Sequence, residues 1–240
     1  MSSEVKSLLQ ATQELADAMD KLEFKLPVSV TYNVLRYAWR GHRAYLEKFG
    51  NGSKRVLFLG MNPGPWGMAQ TGVPFGEVAS VRDWMKIEAT IGRPEPEHPK
   101  RPILGFSCGK SEVSGRRLWG LFAEKFGSAQ AFFSEHFVIN YCPLVFMEES
   151  GRNLTPDKLS AKEAASLHGA CNTYLSRITE IMQPEWIIGV GVYAEKRAKE
   201  ALGANYKFSR ILHPSPASPA ANAGWAERAV SQLNILRIWD

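Results

Sequence analysis

Short apolar runs alternate with segments of helical periodicity along this chain. The apolar runs predict buried strands at residues 56–59, 137–139, 186–191 and 208–212. Apolar residues at helical spacing predict helices at 5–22, 33–49, 78–91, 114–126, 161–182, 193–202 and 225–236. Strands that alternate with helices indicate a parallel sheet covered on both faces. We therefore predict an α/β fold in three layers, α/β/α, around a central four-stranded parallel sheet.

Polar side chains stand where three of these strands end. Asn62 follows the first strand, Asn140 the second and His213 the last, and Gly-Pro-rich or Pro-rich turns surround Asn62 and His213. Open α/β sheets bind ligands at the carboxyl ends of their strands. An ordinary Gly-Pro loop is the alternative interpretation of residues 60–76. The second rigid turn, at His213, favours a functional site.

Composition excludes several classes of protein. The 240 residues suffice for one α/β domain and no segment looks like an interdomain linker, so we predict a single domain spanning residues 1–240. The three cysteines, Cys108, Cys142 and Cys171, are scattered, which argues against a disulfide framework, a metal site or an iron–sulfur cluster. This cysteine usage fits a reducing, intracellular compartment. No apolar run approaches the length of a membrane span, and no leader-like segment opens the chain.

Net charge and one helix start point to an anionic partner. The formal net charge is +5 and the sequence pI is about 9.1, which is compatible with nucleic acid binding and also with an ordinary solvated surface. Ser114, Gly115 and Arg116 open a predicted helix, and N–H groups beside a small residue and a cation favour phosphate. Plain capping beside a solvated arginine pair is the alternative. The GVG at 189–191 lacks the spacing of a dinucleotide-binding loop.

Two longer motifs resemble a known family. GMNPGPWGMAQTGVPFGEV, which begins at Gly60, and HPSPASPAANAGW, which begins at His213, resemble motifs one and two of the SMUG-type uracil-DNA glycosylases. These are the single-strand-selective monofunctional branch of the uracil-DNA glycosylase superfamily. The segments YNVLRYAWRGH, SEVSGRRLWG, NYCPL and NLTP also resemble that family, so the resemblance extends over nearly the whole chain. It implies a uracil-DNA glycosylase-like fold and a base excision repair enzyme that flips uracil and related damaged bases out of DNA. The product would be an abasic site in an uncut strand.

Base removal requires two chemical tasks, and the resemblance to the family implies which residues perform them. Breaking the glycosidic bond leaves positive charge on the sugar and negative charge on the base, so the site must stabilise an anion and offer a water. A neutral histidine that donates a hydrogen bond to the base suits the first task, and the resemblance places His213 there. Asn62 stands where other branches have Asp. A neutral amide can orient a water without removing its proton, so we expect the base to leave before water attacks. No Lys lies in either motif to act as a lyase amine.

The resemblance also assigns the base pocket. It implies that Asn140 reads the edge of uracil and that Phe75 stacks on the ring, whereas an isolated Phe75 would be interpreted as a core aromatic. An amide can donate to O4 and accept from N3–H of uracil, while cytosine would leave both groups unpaired. Gly60, Met61 and Gly64 are expected to line the pocket.

The DNA contacts are predicted at one helix start and one turn. The residues expected to contact DNA are Ser114, Gly115, Arg116, Ser215, Pro216, Ala217, Ser218 and Pro219. Residues 215–222 correspond to the wedge that the family inserts into the duplex. Relatives carry a long basic side chain where this chain has Ala217, so we expect weaker activity on well-paired duplex than on single strands or mismatches. Trp66 replaces the Phe of many relatives, with no predicted direction of effect.

Two other functions fit parts of the sequence. A superfamily glycosylase that prefers deaminated purines, xanthine or hypoxanthine, would share the fold and differ in its pocket. A non-catalytic single-stranded DNA-binding protein would use the basic surface and aromatics, but binding alone needs neither the edge Asn nor the edge His. We predict a monofunctional uracil-DNA glycosylase that requires no metal or other cofactor and acts as a monomer on single-stranded and duplex DNA. We expect it in the cytoplasm or nucleoid of a bacterium, or in the nucleus of a eukaryote.

Overall fold

The computed structural model describes residues 1–239. The strands are β1 (Val30–Asn33), β2 (Val56–Gly60), β3 (His136–Asn140), β4 (Leu144–Met147), β5 (Asn153–Leu154), β6 (Trp186–Val190) and β7 (Lys207–Ile211). The helices are α1 (Ser3–Met19), α2 (Val34–Tyr37), α3 (Trp39–Phe49), α4 (Met68–Thr71), α5 (Val113–Phe126), α6 (Ala129–Phe133), α7 (Ala161–Met182), α8 (Val192–Leu202), α9 (Pro219–Asn222) and α10 (Trp225–Ile235).

A parallel sheet in the order β3-β2-β6-β7 forms the centre of the fold. Every residue of β2 and β3 is buried, as expected of strands that carry helices on both faces. Helices α1, α7 and α8 form one packed group, and α5 packs with α6 and α10 in another. The predicted α/β fold with a four-stranded parallel sheet is confirmed. All its strands run the same way, so their carboxyl ends meet at one edge.

Two helix starts follow the capping chemistry of the sequence. The Ser2 hydroxyl accepts a hydrogen bond from the Val5 N–H at the start of α1. Ser160 and Glu163 form a capping box before α7. These caps satisfy N–H groups that the first turn of a helix leaves without partners.

A second, smaller sheet was not predicted. It is antiparallel, in the order β1-β4-β5, and Asn33 of β1 lies opposite Leu144 of β4. Strand β1 has only four residues, of which only Tyr32 is fully buried, and β5 has two, too few for a clear periodicity. Because β4 and β5 follow β3 closely, this sheet holds the chain beside the carboxyl edge of the central sheet.

Three predicted helices differ from the structure. The helix at 33–49 is two helices, α2 and α3, separated at Ala38. The helix at 78–91 is replaced beyond its first residues by a π-helical turn (Ser80–Trp84), after which Lys86 adopts a positive φ of 54°. Ile87 is buried without being helical, so the apolar spacing reflected core contacts rather than a helix. The helix predicted at 5–22 ends at Met19, and a single 3-10 turn (Pro156–Lys158) follows β5.

The long loop at 92–109 is anchored to the loop after β2. Gln70 is fully buried, and its amide oxygen accepts hydrogen bonds from the N–H groups of Leu104 and Gly105 at 2.8 and 3.1 Å. Its amide nitrogen donates to the carbonyl oxygens of Pro65 and Pro102. The loop is thereby tied to the segment that carries Asn62.

The remaining structural findings concern the cysteines, membrane spans and metal groups. All three cysteines are buried as free thiols. Among residues 1–239, no helix is both long and apolar enough to cross a membrane. The same residues contain no group of three His, Cys, Asp or Glu side chains arranged to hold a metal ion.

Candidate active site

A cavity of about 320 Å³ opens at the carboxyl edge of the central sheet. The residues that line it are Met61, Asn62, Pro63, Gly64, Phe75, Glu112, Ser114, Asn140, Asn153, Thr155, His213 and Ser215. They come from the loop after β2, the start of α5, the end of β3, the β5 segment and the turn after β7. The structure thus brings Asn62, Asn140 and His213, which lie far apart in sequence, to one cavity.

Gly60 supports the floor of this cavity from below rather than lining it. It pairs with Asn140 across β2 and β3. A side chain at Gly60 would place its Cβ 2.6 Å from the Phe75 ring and would overlap the Asn140 amide oxygen. A glycine is therefore required for Phe75 and Asn140 to meet at this point.

Phe75 is held in a conformation that few non-glycine residues adopt. Its φ is 51°, and its side chain is 7% exposed. Its carbonyl oxygen accepts hydrogen bonds from the Trp119 indole at 3.0 Å and from the Glu77 N–H at 2.8 Å. These bonds fix the backbone, so the ring presents a preorganised face to the cavity.

Asn140 has hydrogen-bonding capacity that the protein leaves unused. Its Nδ2 donates to the Met68 sulfur at 3.3 Å, which is a weak acceptor. Its Oδ1 is buried and has no hydrogen-bond partner. An unpaired buried acceptor is costly, so this oxygen is suited to a donor that a ligand supplies.

Asn62 is oriented by the second sheet. Its Nδ2 donates to the carbonyl oxygen of Leu144 at 3.1 Å, whereas its Oδ1 makes no hydrogen bond with any described residue. The anchored nitrogen fixes the plane of the amide. The free oxygen can accept a hydrogen bond from a water in the cavity.

His213 reaches the cavity across the end of the neighbouring strand β6. A side chain at Gly191 would place its Cβ 3.2 Å from the His213 Cβ, and Gly191 has a φ of 96°. The His213 ring lies 6.1 Å from the Phe75 ring, centroid to centroid. Burial lowers the pKa of His213 to about 4, so the imidazole is neutral near pH 7. Gly191, the second glycine of the GVG segment, therefore makes room for His213, a role that the sequence did not indicate.

Glu112 is a cavity residue that sequence reasoning missed. It occupies the N-cap position of α5, although its side chain does not cap the helix. A Cβ at Gly64 would lie 2.6 Å from the Glu112 Oε1, and a Cβ at Gly67 or Gly115 would also overlap the carboxyl group. Three glycines thus make room for this side chain.

The surroundings of Glu112 change the pKa of its carboxyl group. Burial, with a smaller effect from the charge of Glu77, raises the pKa of Glu112 to about 7. The N-terminus of α5 acts in the opposite direction and favours the carboxylate, by up to about 2 kcal/mol for a partly buried group.

Asn153 and Thr155 were also missed as cavity residues. Both lie in the NLTP segment around β5, and Asn153 Oδ1 is buried without a hydrogen-bond partner. The resemblance of NLTP to the family was the one signal that could have indicated them.

The start of α5 places its three predicted residues differently. Ser114 lines the cavity, and Arg116 is exposed, with its Nη1 3.2 Å from the Ser111 hydroxyl. Gly115 is buried, and a Cβ there would overlap the Phe75 carbonyl oxygen. The absence of a side chain at Gly115 therefore allows helix α5 to approach Phe75 closely.

The turn after His213 is a structured loop. Ser215 lines the cavity, and its hydroxyl accepts a hydrogen bond from the Ala217 N–H at 3.2 Å. Ser218 caps the short helix α9, which begins at Pro219. Pro216, Ala217 and Pro219 are exposed.

Trp66 lies between two cations beside the same loop. The Lys110 ammonium is 4.1 Å from the Trp66 ring centroid, and the Arg101 guanidinium is 5.2 Å from it. Both distances fall within the range of cation–π interactions. Trp66, Lys110 and Arg101 together form a basic, aromatic patch next to the Asn62 loop.

Known proteins resemble this chain over most of its length. Residues 47–234 match the family model of the uracil DNA glycosylase superfamily. The chain is 47% identical over 234 residues to a single-strand selective monofunctional uracil DNA glycosylase of Bos taurus, with 96% of this chain and 86% of that protein covered. It is equally similar to the enzyme of that name from Rattus norvegicus, where 96% of this chain and 84% of the rat protein are covered. Its fold matches the crystal structure of wild-type Pedobacter heparinus SMUG2 with a TM-score of 0.68 and 16% identity, over 95% of this chain and 99% of that one.

Proposed function

The chain belongs to the uracil DNA glycosylase superfamily, and we propose that it removes uracil from DNA as a monofunctional glycosylase. It hydrolyses the N-glycosidic bond and leaves an abasic site in an uncut strand. One observation carries the assignment of the site: the buried, unpaired Oδ1 of Asn140 lies in the same cavity as Phe75 and the neutral His213.

Asn140 and Phe75 select the base. Uracil stacks on Phe75, and its N3–H donates to the Asn140 Oδ1 that has no partner in the protein. The Asn140 Nδ2 exchanges its weak bond with the Met68 sulfur for the O4 of uracil. Cytosine carries an amino group in place of O4 and lacks the N3 proton, so it would face a donor with a donor and leave Oδ1 unpaired.

His213 stabilises the departing base. As the bond between N1 and the sugar breaks, negative charge spreads over the uracil oxygens. A neutral imidazole can donate a hydrogen bond to that charge, and burial keeps His213 neutral. Gly191 and the Pro214 turn hold the ring in place before the reaction begins.

Asn62 holds the water that completes the reaction. Its nitrogen is fixed by Leu144, and its oxygen remains available to a water beneath the sugar. Because an amide is a poor base, the base leaves first and the water then adds to the positively charged sugar.

DNA is held outside the cavity by the start of α5 and the turn after His213. The N–H groups at Ser114 and Gly115 and the side chain of Arg116 bind phosphate. Residues 215–219 act as the wedge, and the exposed Ala217 offers little volume to fill the gap that the flipped base leaves. Single-stranded and mismatched sites are therefore the preferred substrates.

The same proposal covers the domain organisation, oligomeric state, cofactor requirement and cellular location of the enzyme. It acts as a single domain over residues 1–240 and as a monomer, and it requires no metal or other cofactor. It works inside the cell on DNA, in the nucleoid or the nucleus according to its source.

A single-turnover assay tests this function. The substrate is a labelled single-stranded oligonucleotide with one uracil, incubated with the protein in chelator and then treated with or without hot alkali. Cleavage that depends on both uracil and alkali is expected. Cleavage without alkali would contradict monofunctional chemistry, and binding of the oligonucleotide without any base release would contradict the enzymatic assignment.

A further inference from the structure

The carboxyl group of Glu112 lines the base cavity without a partner. Its Oε2 is buried and makes no hydrogen bond, and no described cation forms an ion pair with it. Two other cavity residues, Asn140 and Asn153, also have a buried oxygen without a hydrogen-bond partner. The glycines at 64, 67 and 115 create the space that the group occupies, so its position is built into the fold.

The cations nearest to Glu112 in the chain and in the fold form no ion pair with it: Lys110 and Arg101 lie over the Trp66 ring. The loop 60–76 that packs against it contains no titratable side chain, and Glu77, which follows this loop, adds a negative charge nearby. On α5, Arg116 points to Ser111 and solvent, and Arg117 is engaged by Pro214 and Asn222. His213, on the turn after β7, is neutral near pH 7.

The reaction makes an anion in this cavity. The bond between C1′ of the sugar and N1 of uracil breaks, its electron pair passes to the base, and the base departs with a negative charge. A second negative charge in the same low-dielectric cavity would oppose that step. A neutral carboxylic acid would not oppose it, and its proton can be donated in a hydrogen bond to the base or to a water beside it.

We propose that Glu112 acts as a neutral carboxylic acid in the base pocket, and that its ionisation switches base release off. The inference rests on the proposed function, because it requires the cavity to hold the departing base. The Glu112 proton stays on the carboxyl group throughout the reaction. Glu112 is thus a determinant of the pH range of the enzyme, in addition to the residues already assigned.

The pH profile of single-turnover uracil release tests the proposal. The burial that raises the pKa of Glu112 to about 7 places its ionisation in an accessible range. We compare the native protein with Glu112→Gln, which keeps the size of the side chain and cannot ionise, from about pH 6 to about pH 9. Above the pH at which Glu112 ionises, the native rate is expected to fall by up to about tenfold per pH unit. The rate of Glu112→Gln, whatever its size, should vary by no more than about twofold over the same pH range.

Glu77→Gln provides a second, independent measurement. Its side chain bonds to Ser80 rather than lining the cavity, and the amide preserves a hydrogen-bonding group there. Removing the Glu77 charge lowers the pKa of Glu112, so the fall in rate should move to lower pH. If thermal melting shows that Glu112→Gln does not fold, the pH profile of Glu77→Gln tests the role of Glu112 by itself.

The outcomes separate the two proposals. Uracil release at about pH 6 by the native protein supports the proposed function whatever happens at higher pH. The same alkaline fall in native and Glu112→Gln proteins, or an unmoved fall in Glu77→Gln, would overturn the role of Glu112 alone. An absence of base release by the native protein at every pH would overturn the proposed function and this inference with it.

Discussion

Arg117 Nη1 donates a hydrogen bond of 3.1 Å to the carbonyl oxygen of Pro214, which joins helix α5 to the turn that carries His213. Its Nη2 donates to Asn222 Oδ1 at 2.9 Å, and Asn222 Nδ2 donates to the Pro216 carbonyl oxygen at 2.9 Å. One guanidinium therefore braces both ends of the wedge turn. The proposed phosphate-binding helix and the proposed wedge are mechanically connected through this side chain.

Replacing Arg117 by Ala should weaken base release from duplex DNA more than from single strands. A loosened wedge loses part of the energy that offsets unstacking of the base, and we expect an about tenfold lower rate on duplex, equivalent to about 1.4 kcal/mol. The measurement is the ratio of single-turnover rates on the two substrates. Arg43→Ala, which removes an exposed ion pair with Glu47 on α3, is the matched control. An unchanged ratio in Arg117→Ala would show that the brace has no role in the wedge.

Asn222→Ala should act through the same network as Arg117→Ala. Both changes remove the bond between the two side chains, so their effects on the duplex rate should add only in part. The double variant is expected to lose less than the product of the two single losses in rate. Fully additive effects in this cycle would mean that the two residues work independently.

Replacing Asn62 by Ala should abolish most turnover while leaving DNA binding intact. The change removes the amide oxygen proposed to hold the water, without touching Asn140 or Phe75. Single-turnover rates and gel-shift affinities on the same uracil-containing strand separate the two effects. An unimpaired single-turnover rate would refute the water-holding role, and a matching loss of affinity would point to a general disturbance of the loop.

Replacing His213 by Ala should slow base release by about 10²- to 10³-fold, the scale for one donor to a developing anion. Because burial lowers the pKa of His213 to about 4, the native enzyme should remain active at mildly acidic pH. Protonation near pH 4 would change the electrostatics of the pocket. A native rate that already falls below pH 6.5 with one ionisation, and a His213→Ala rate that does not, would contradict a neutral histidine.

Replacing Ala217 by Arg should raise the rate on duplex DNA relative to the single-stranded rate. The residue is exposed at the tip of the wedge turn, so the longer side chain can fill the gap in the stack without disturbing the fold. The rates to compare are those on uracil paired with adenine, uracil paired with guanine, and single-stranded uracil. Ala217→Ser is the size-limited control. A duplex rate that stays the same in Ala217→Arg would show that this position does not set the preference.

Stability should depend on pH through the buried histidines. Burial lowers the pKa of His42 and of His136 to about 4, and Trp239 donates its indole N–H to His136 Nε2 at 3.1 Å. As pH falls from about 6.5, the unfolded chain gains these protons before the folded chain does, so each histidine reduces stability between pH 6.5 and 4. Glu112 acts in the opposite sense, because its raised pKa favours the neutral form in the folded state as pH falls.

The change to test is therefore His42→Gln, compared with the native protein by urea unfolding at about pH 7 and pH 5. Native stability should drop by about 2 kcal/mol more than that of the variant over this interval, since one pKa unit corresponds to about 1.4 kcal/mol. Equal drops would show that His42 titrates normally in the folded protein.

The central sheet could be predicted because its inner strands β2, β3 and β6 contain apolar runs. The position of Asn62, Asn140 and His213 at its carboxyl edge could be predicted because each lies at or just after the end of a strand. The sequence pattern could not reveal strand β1, which has four residues, or β5, which has two, because such short strands show little periodicity. The helix predicted at 78–91 failed because Ile87 is buried by tertiary contacts outside any helix.

Glu112 and Gly191 show a different limit of prediction. The burial of Glu112 depends on glycines from the loop after β2 and from α5, and the role of Gly191 depends on a turn that begins 22 residues later in the chain. Neither relationship produces a periodic pattern or a bias in composition that could be seen in the sequence. Only the folded chain brings these residues together.

The strand order also determines when a growing chain becomes an enzyme. Residues up to 140 supply the floor and the base reader, but β7, which leads into His213, joins the sheet only through β6. A chain cut off before residue 213 would therefore carry the proposed base reader without the proposed anion-stabilising donor. We expect a product of interrupted synthesis that ends there to remove no bases from DNA.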